Sequence, residues 1–352
     1  MDKRRVEWVD TLKCLCMIAV LVEHVECVTP VWDRFVEPFF LNLFSFAAGY
    51  VYVHREGFGS FFRKKVRQLW VPWLFFSTLT ILMAHVLSFH AHESLALELG
   101  RNMLQIMYLG SEMWYVAALF VAFLPFYFFI RAYEHSAAAE GKKAARLLLV
   151  SFLLCFASFC FSRYAPRDLF PWCRPEVPVA LPWHLEYMFQ AMFFMVLGYL
   201  FRLRYERVFD RYDGIAACVL LWGVYLLVDL ALPAVIELSP AAELLLYYPR
   251  CFLGCAAVIS LAKRIRPNAY TRFVGGSTLS YYGLHGKAES LVQAVLRRIN
   301  EPEYLELVWG DHPEALLYAV LEGLLVSVLL IPIAWLINRY LPFAVGRGRR
   351  KQ

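Results

Sequence analysis

The stretch EALLYAVLEGLLVSVLLIPIAWLIN, residues 314–338, carries two acidic residues, Glu314 and Glu322, and no basic one. A run of about 20 mostly apolar residues, rising about 1.5 Å per residue as a helix, is long enough to cross the hydrocarbon core of a bilayer. Nine further stretches read the same way: 11–29, 35–54, 69–89, 112–131, 145–163, 184–201, 213–233, 242–262 and 274–296. The sequence therefore predicts an all-α polytopic integral membrane protein with about ten transmembrane helices, forming one transmembrane domain over residues 1–352.

The composition agrees. The 352 residues are 60% hydrophobic and 18% charged, where a soluble domain needs about 25% charged residues to meet water. Aromatic residues reach 17%, and Tyr and Trp favour the interfaces of a membrane. The net charge of +6 does not mark a nucleic-acid binder, because the basic residues sit in short runs between apolar segments rather than on one domain. The nine cysteines lack metal-ligand spacing. Cys14 and Cys16, Cys155 and Cys160, and Cys251 and Cys255 lie inside apolar stretches and read as small core fillers, with no metal site expected.

Charge sets the predicted orientation. On the side holding both termini lie Lys3, Arg4 and Arg5, the Arg55–Arg67 loop, Arg131–Arg146, Arg202–Arg211, Lys263–Arg272 and the tail from Arg339 to Lys351. Together these hold 25 of the 35 Lys and Arg residues, against 7 on the opposite side. The positive-inside rule makes that side, and both termini, cytoplasmic. The first span reads as a retained signal-anchor. Two external loops stand out. One, at about 164–183, is rich in proline (Pro166, Pro171, Pro175, Pro178, Pro182), and the other lies at about 297–313.

Ionisable groups within a span are costly and point to function by default. The first span holds Lys13, Glu23, His24 and Glu26. Lys13 and His24 are eleven residues apart, a rotation of about 1100°, so they share a helix face about 16 Å apart along the axis. Each also has an ordinary reading: Lys13 can snorkel to the headgroups and His24 can be a satisfied core histidine. Elsewhere, Glu289 stands four residues after His285 and can pair with it, and Asp229 and Arg250 can pair across the seventh and eighth spans. Trp114 fits an interfacial belt, and His184 and Glu186 follow the proline-rich loop at the external face.

Five segments, in order, carry a family resemblance. Lys13, ten residues and His24, preceded by Arg4, Arg5 and Asp10, form the first. FFLNLFSFAAGYVY (39–52) is the second. FFRKKVRQLWVPW (61–73) follows, with Lys64, Arg67 and Pro72. EMWYVAALF (112–120) places Trp114, and GGSTLSYYGLHG (275–286) places His285. Together they resemble the acyltransferase 3 family of membrane-bound sugar O-acyltransferases. Trp114-Tyr115-Val116 departs from the Trp-Ser-Leu segment of the larger members and looks like the smaller, fucose 4-O-acetylase-like branch.

The resemblance implies transfer of an acyl group, with acetyl-coenzyme A as the expected donor, to a hydroxyl of a glycan or lipid-linked sugar. It implies residence in a bacterial cytoplasmic membrane and no metal. Acyl transfer from a thioester to a hydroxyl needs a base, and histidine suits that work near neutral pH. His24 is accordingly the expected base. Lys13, Lys64 and Arg67 are expected to bind the anionic donor, and Asp10, Trp114 and His285 are further candidates. The donor's slender arm is comparable in length to the Lys13–His24 separation. A proton-coupled transporter or exporter of a small polar solute is the alternative on physical grounds.

Overall fold

The computed structural model describes residues 6–87, 94–107, 109–110, 112–173, 178–235, 239–309 and 314–347. Lys3, Arg4, Arg5, Arg174, Pro175, Arg349, Arg350 and Lys351, all counted above, lie outside the described residues. Among the described residues the regular structure is helical, with a lone bridge between Ile106 and Gly110. The helices are α1 (Glu7–Glu23), α2 (Pro30–Val36), α3 (Phe40–Tyr50), α4 (Phe58–Lys65), α5 (Val71–Leu87), α6 (Leu95–Leu104), α7 (Trp114–His135) and α8 (Glu140–Tyr164). They continue with α9 (Leu185–Leu200), α10 (Glu206–Tyr212), α11 (Ile215–Leu226), α12 (Leu232–Val235), α13 (Pro240–Arg264), α14 (Ala269–Gly276), α15 (Thr278–Trp309) and α16 (Ala315–Tyr340).

Among the described residues, five helices are long and apolar enough to cross a membrane: Phe58–Val86, Trp114–His135, Glu140–Tyr164, Ala242–Arg264 and Ala315–Tyr340. A sixth candidate arises if the bent pair Pro182–Tyr212 and Ile215–Ala231 is one span. The other expected spans differ from their sequence outlines. The stretch 11–29 is helical only to Glu23, because a turn follows and Thr29 caps a new helix at Pro30. The stretch 35–54 is helical over Phe40–Tyr50. The stretch 274–296 is broken at Ser277, and its second part continues to Trp309, so much of the loop expected at 297–313 is helix. A short helix, α6, occupies a segment where no element was expected, capped by the Ser94 hydroxyl.

Proline explains two local widenings. Turns of π-helix cover Val66–Trp70 and Leu227–Ala231, ahead of Pro72 and Pro233. A proline has no N–H for the carbonyl four residues earlier, and a widened turn relieves its ring. The carbonyl freed by Pro233 is that of Asp229, and it accepts the Nε–H of Arg34 at 2.7 Å.

The chain divides into two compact units. The first comprises Met1–Phe44 and Tyr205–Leu336, the second Ser45–Arg204 and Ile337–Gln352. In the first, α1 is the buried element. A Cβ at Gly275 would meet the Asp10 main chain, and one at Gly323 would meet Val22, so α14 and α16 close on α1 backbone to backbone. In the second, Gly49 abuts the Met195 main chain and Gly198 that of Phe46 and Tyr50. Small residues are what let membrane helices approach this closely. The expected Asp229–Arg250 pair is present in the first unit at 2.5 Å, with Asp229 fully buried.

Candidate active site

The docking of α14 on α1 builds one end of the site. Asn268 and Thr271 form a reciprocal capping box that starts α14. Arg272 reaches Glu7 at 2.7 Å, and Gly275 lets the two backbones touch at Asp10. Asp10 is buried, and its carboxylate accepts from the Lys13 ammonium at 3.1 Å, one turn along the same helix. Lys13 keeps 26% of its side-chain surface open. It is therefore a cation held in place by a buried carboxylate and still presented to solvent.

The break at Ser277 turns the chain into α15, and its first three turns bring His285 back to α1. The rings of His24 and His285 meet edge to face, their centroids 4.6 Å apart at 88°. His24 caps the C-terminus of α1, and its Nδ1 bonds the Val20 carbonyl at 2.8 Å. His285 does the same within its own helix, Nδ1 to the Tyr282 carbonyl at 2.6 Å, and the Tyr282 ring stacks on it at 5.4 Å. A carbonyl oxygen only accepts, so in each neutral ring Nδ1 carries the proton and Nε2 the lone pair. Two imidazoles are thus held in contact with their basic nitrogens uncommitted to the backbone.

The pairing of Glu289 with His285, considered from the sequence, is not what holds either group: Glu289 is buried with its Oε1 lacking a hydrogen-bond partner. Glu26, just past the end of α1, pairs with Arg297 at 2.5 Å. Tyr282 had not been singled out from the sequence. Its position three residues before His285 on a helix was the available signal.

Lys64, Arg67 and Trp114 belong to the second unit. Lys64 bonds Glu56 at 3.0 Å, both side chains being 43% exposed, and Arg67 is exposed on the π-helical turn. Lys65, between them, lies over the Phe123 ring at 3.3 Å in a cation–π contact. Trp114 begins α7 beside His184 and Tyr187, with ring centroids at 5.2 and 5.6 Å. His184 is fully buried and bonds Glu186 at 3.2 Å. Trp183 and His184 both have left-handed backbone, φ 57° and 52°. Bulky residues rarely adopt it, and it stores strain of order 1–3 kcal/mol per residue. Among the described residues, no group of three or more His, Cys, Asp or Glu is arranged to hold a metal ion.

Residues 6–339 match the model of the acyltransferase 3 family, described as an acyltransferase domain, and the chain belongs to that family. No curated protein and no solved structure matches it.

Proposed function

We propose that this acyltransferase moves an acetyl group from acetyl-coenzyme A to a sugar hydroxyl of a cell-surface or secreted glycan, with His24 as general base. The observation that carries the reading is the His24 ring: its Nδ1 proton is held by the Val20 carbonyl, which leaves Nε2 to accept the hydroxyl proton. As that O–H bond breaks, the sugar oxygen bonds the acyl carbon and the C–S bond of the thioester breaks. The proton on Nε2 then passes to the departing thiolate, so the histidine ends as it began. His285, in contact with His24, holds the second lone pair beside the reacting centre and keeps the base in place. Its role is positioning.

Lys13 supports the donor assignment. A cation braced by Asp10 and about 16 Å along α1 from His24 suits the anionic nucleotide end of the donor while the thioester reaches the base. Lys64, on α4, and Arg67, on the π-helical turn that follows it, are exposed cations that we also assign to binding the anionic donor. The smaller acetylase-like branch fits Trp114-Tyr115-Val116. The topology that goes with this reading has ten crossings, α1, α3, α9, α11 and α15 joining the five long apolar helices. Both termini then lie in the cytoplasm of a bacterial cell. Ion pairs at the two ends of this segment support it: Glu7 of α1 meets Arg272, and Glu26, three residues past α1, meets Arg297.

The test follows thiol release from labelled acetyl-coenzyme A and label incorporation into a glycan pool, with purified protein in liposomes. His24→Ala, folded and inserted, is expected to lose about 10²–10⁴ in turnover. Unchanged turnover removes His24 from the chemistry. Redistribution of a solute across the liposome with no donor consumed is the outcome of a transporter.

A further inference from the structure

At the N-terminal end of α1 the first unit holds a cavity of about 540 Å³. Small-molecule sites typically measure about 300–1,000 Å³. Its lining includes Trp8 of α1, Asp210 of α10, Gly214 and Ile215 at the start of α11, and Lys263 and Arg264 at the end of α13. None of these residues has a part in the site described above.

What the cavity can bind follows from which of its groups are already engaged. The Lys263 ammonium bonds Glu206 at 2.7 Å and Asp210 at 2.9 Å, and it lies over the Trp8 ring at 4.6 Å. The Arg264 guanidinium bonds the Asp213 carboxylate at 2.7 Å, the Asp213 carbonyl at 2.6 Å and the Ser260 hydroxyl at 2.8 Å. Three carboxylates thus meet two cations, and both cations are engaged. An anion here would compete with carboxylates already in place, so the cavity does not suit a phosphate. Asp210 uses one oxygen on Lys263 while 51% of its side chain stays exposed, so the other oxygen can accept from a ligand N–H. Ile215 adds an exposed apolar edge, and Gly214 leaves the wall beside it bare, since a Cβ there would meet nothing within 4 Å. The occupant that fits is uncharged, flat enough to lie against an indole, and carries an N–H donor. A purine base with an amino group has these properties.

Its place along α1 connects it to the donor. Trp8 precedes Lys13 by five residues, about 7.5 Å nearer the start of the helix and about 140° round it. The nucleotide end of the donor carries its adenine one ribose away from its phosphates. Phosphates at Lys13 therefore leave the base within reach of Trp8, round the first turns of α1. We propose that this cavity is the subsite for the adenine base of the acyl-coenzyme A donor, which lies against Trp8 and donates its amino N–H to Asp210. This rests on the acyl-transfer reading for the identity of the donor.

The probe is 8-azidoadenosine 3′,5′-bisphosphate, the nucleotide end of the donor without its arm. It is photolysed with the full chain in nanodiscs, and adducts are mapped by mass spectrometry. Adducts are expected at Trp8, within 206–215 and at 263–264. Acetyl-coenzyme A should displace the probe, and acetyl-4′-phosphopantetheine, which lacks the adenosine, should not. Gly214→Phe fills the cavity at a backbone φ of −84° that any residue adopts, and should abolish the adducts in protein that keeps its Tm. In thiol release, Trp8→Ala should raise the KM for acetyl-coenzyme A about 5–100-fold, the worth of a stacked base, and leave the KM for acetyl-4′-phosphopantetheine unchanged. A donor with hydrogen in place of the adenine amino group should bind wild type about tenfold more weakly than acetyl-coenzyme A, and Asp210→Ala should bind the two alike. Adducts elsewhere, displacement by acetyl-4′-phosphopantetheine, or equal KM rises with both donors overturn the proposal. Thiol release that ignores Trp8→Ala and Gly214→Phe overturns the subsite and leaves acyl transfer standing. Adducts in the cavity that acetyl-coenzyme A displaces, with no thiol release under any acceptor, overturn the acyl-transfer reading and leave the subsite.

Discussion

Helices α1 and α8 are opposites. α8 is among the most apolar helices of the chain, with a window of mean hydropathy 2.1 that is only 22% buried. Its buried residues, Ala144, Leu147, Ser151 and Cys155, form a single narrow stripe at helical spacing. Helix α1 is shorter and carries Glu7, Asp10, Lys13 and Glu23, yet 11 of its 17 residues are buried. In water the more apolar helix would be the inner one. Here the solvent is hydrocarbon, so the apolar helix faces out and the helix that carries polar chemistry is the one wrapped by protein. Hydropathy alone therefore does not single out α1, the helix most enclosed by protein in its unit.

The sharpest way to break this contrast is at His24. His24→Ala should cost about 10²–10⁴ in turnover, read as thiol release at saturating donor. His285→Ala should cost less, because the base itself remains, and should leave the KM for the donor unchanged. If the two losses are equal, His285 takes part in the proton transfer itself.

Next in size is Gly275→Ala. The new methyl group meets the Asp10 main chain, where there is no flexible side chain to give way. Overpacking of this kind costs about 1–3 kcal/mol, measurable as a lowered Tm in detergent with a parallel loss of activity. Gly223→Ala, on α11 in the same unit, meets nothing within 4 Å and should be neutral or slightly stabilising. Equal effects at both glycines would show that close approach is not what seats α14 on α1.

Lys13→Ala should raise the KM for acetyl-coenzyme A about 10–100-fold, the worth of a charged hydrogen bond, with a smaller change in kcat. It also leaves Asp10 buried without its cation, so Asp10→Asn in the Lys13→Ala background should recover stability but not donor affinity. The smallest effect belongs to α8. Leu153→Ala, at a side chain 55% exposed, should leave turnover within experimental error and shift Tm slightly. A large loss there would mean that this face of α8 meets protein rather than lipid.

Much of the fold was legible because its cause is local. An apolar run such as 314–338 must form its own hydrogen bonds in lipid, and Ala315–Tyr340 is the helix that results. The same logic gave Trp114–His135 and Glu140–Tyr164 to within a few residues. It failed where polar residues interrupt the apolar pattern. The window read as 11–29 runs through the turn after Glu23, since Val25, Cys27 and Val28 keep it apolar while Thr29-Pro30 begins a separate helix. The window read as 274–296 hid the break at Ser277 and the continuation past Asn300, because a helix sheltered by neighbours need not stay apolar.

Sequence by itself determined that the chain is built of apolar helices suited to a bilayer and that Lys13 lies on the first of them with His24 at its C-terminal end. These follow from composition and from the fixed geometry of a helix. Tertiary structure alone decided that His285 meets His24, that Asp229 finds Arg250 and accepts Arg34 on a carbonyl freed by a proline, and that Trp8 and Asp210 line one cavity. Such contacts depend on how closely helices approach. That distance is set by Gly275 and Gly323, whose missing side chains give no periodic signal.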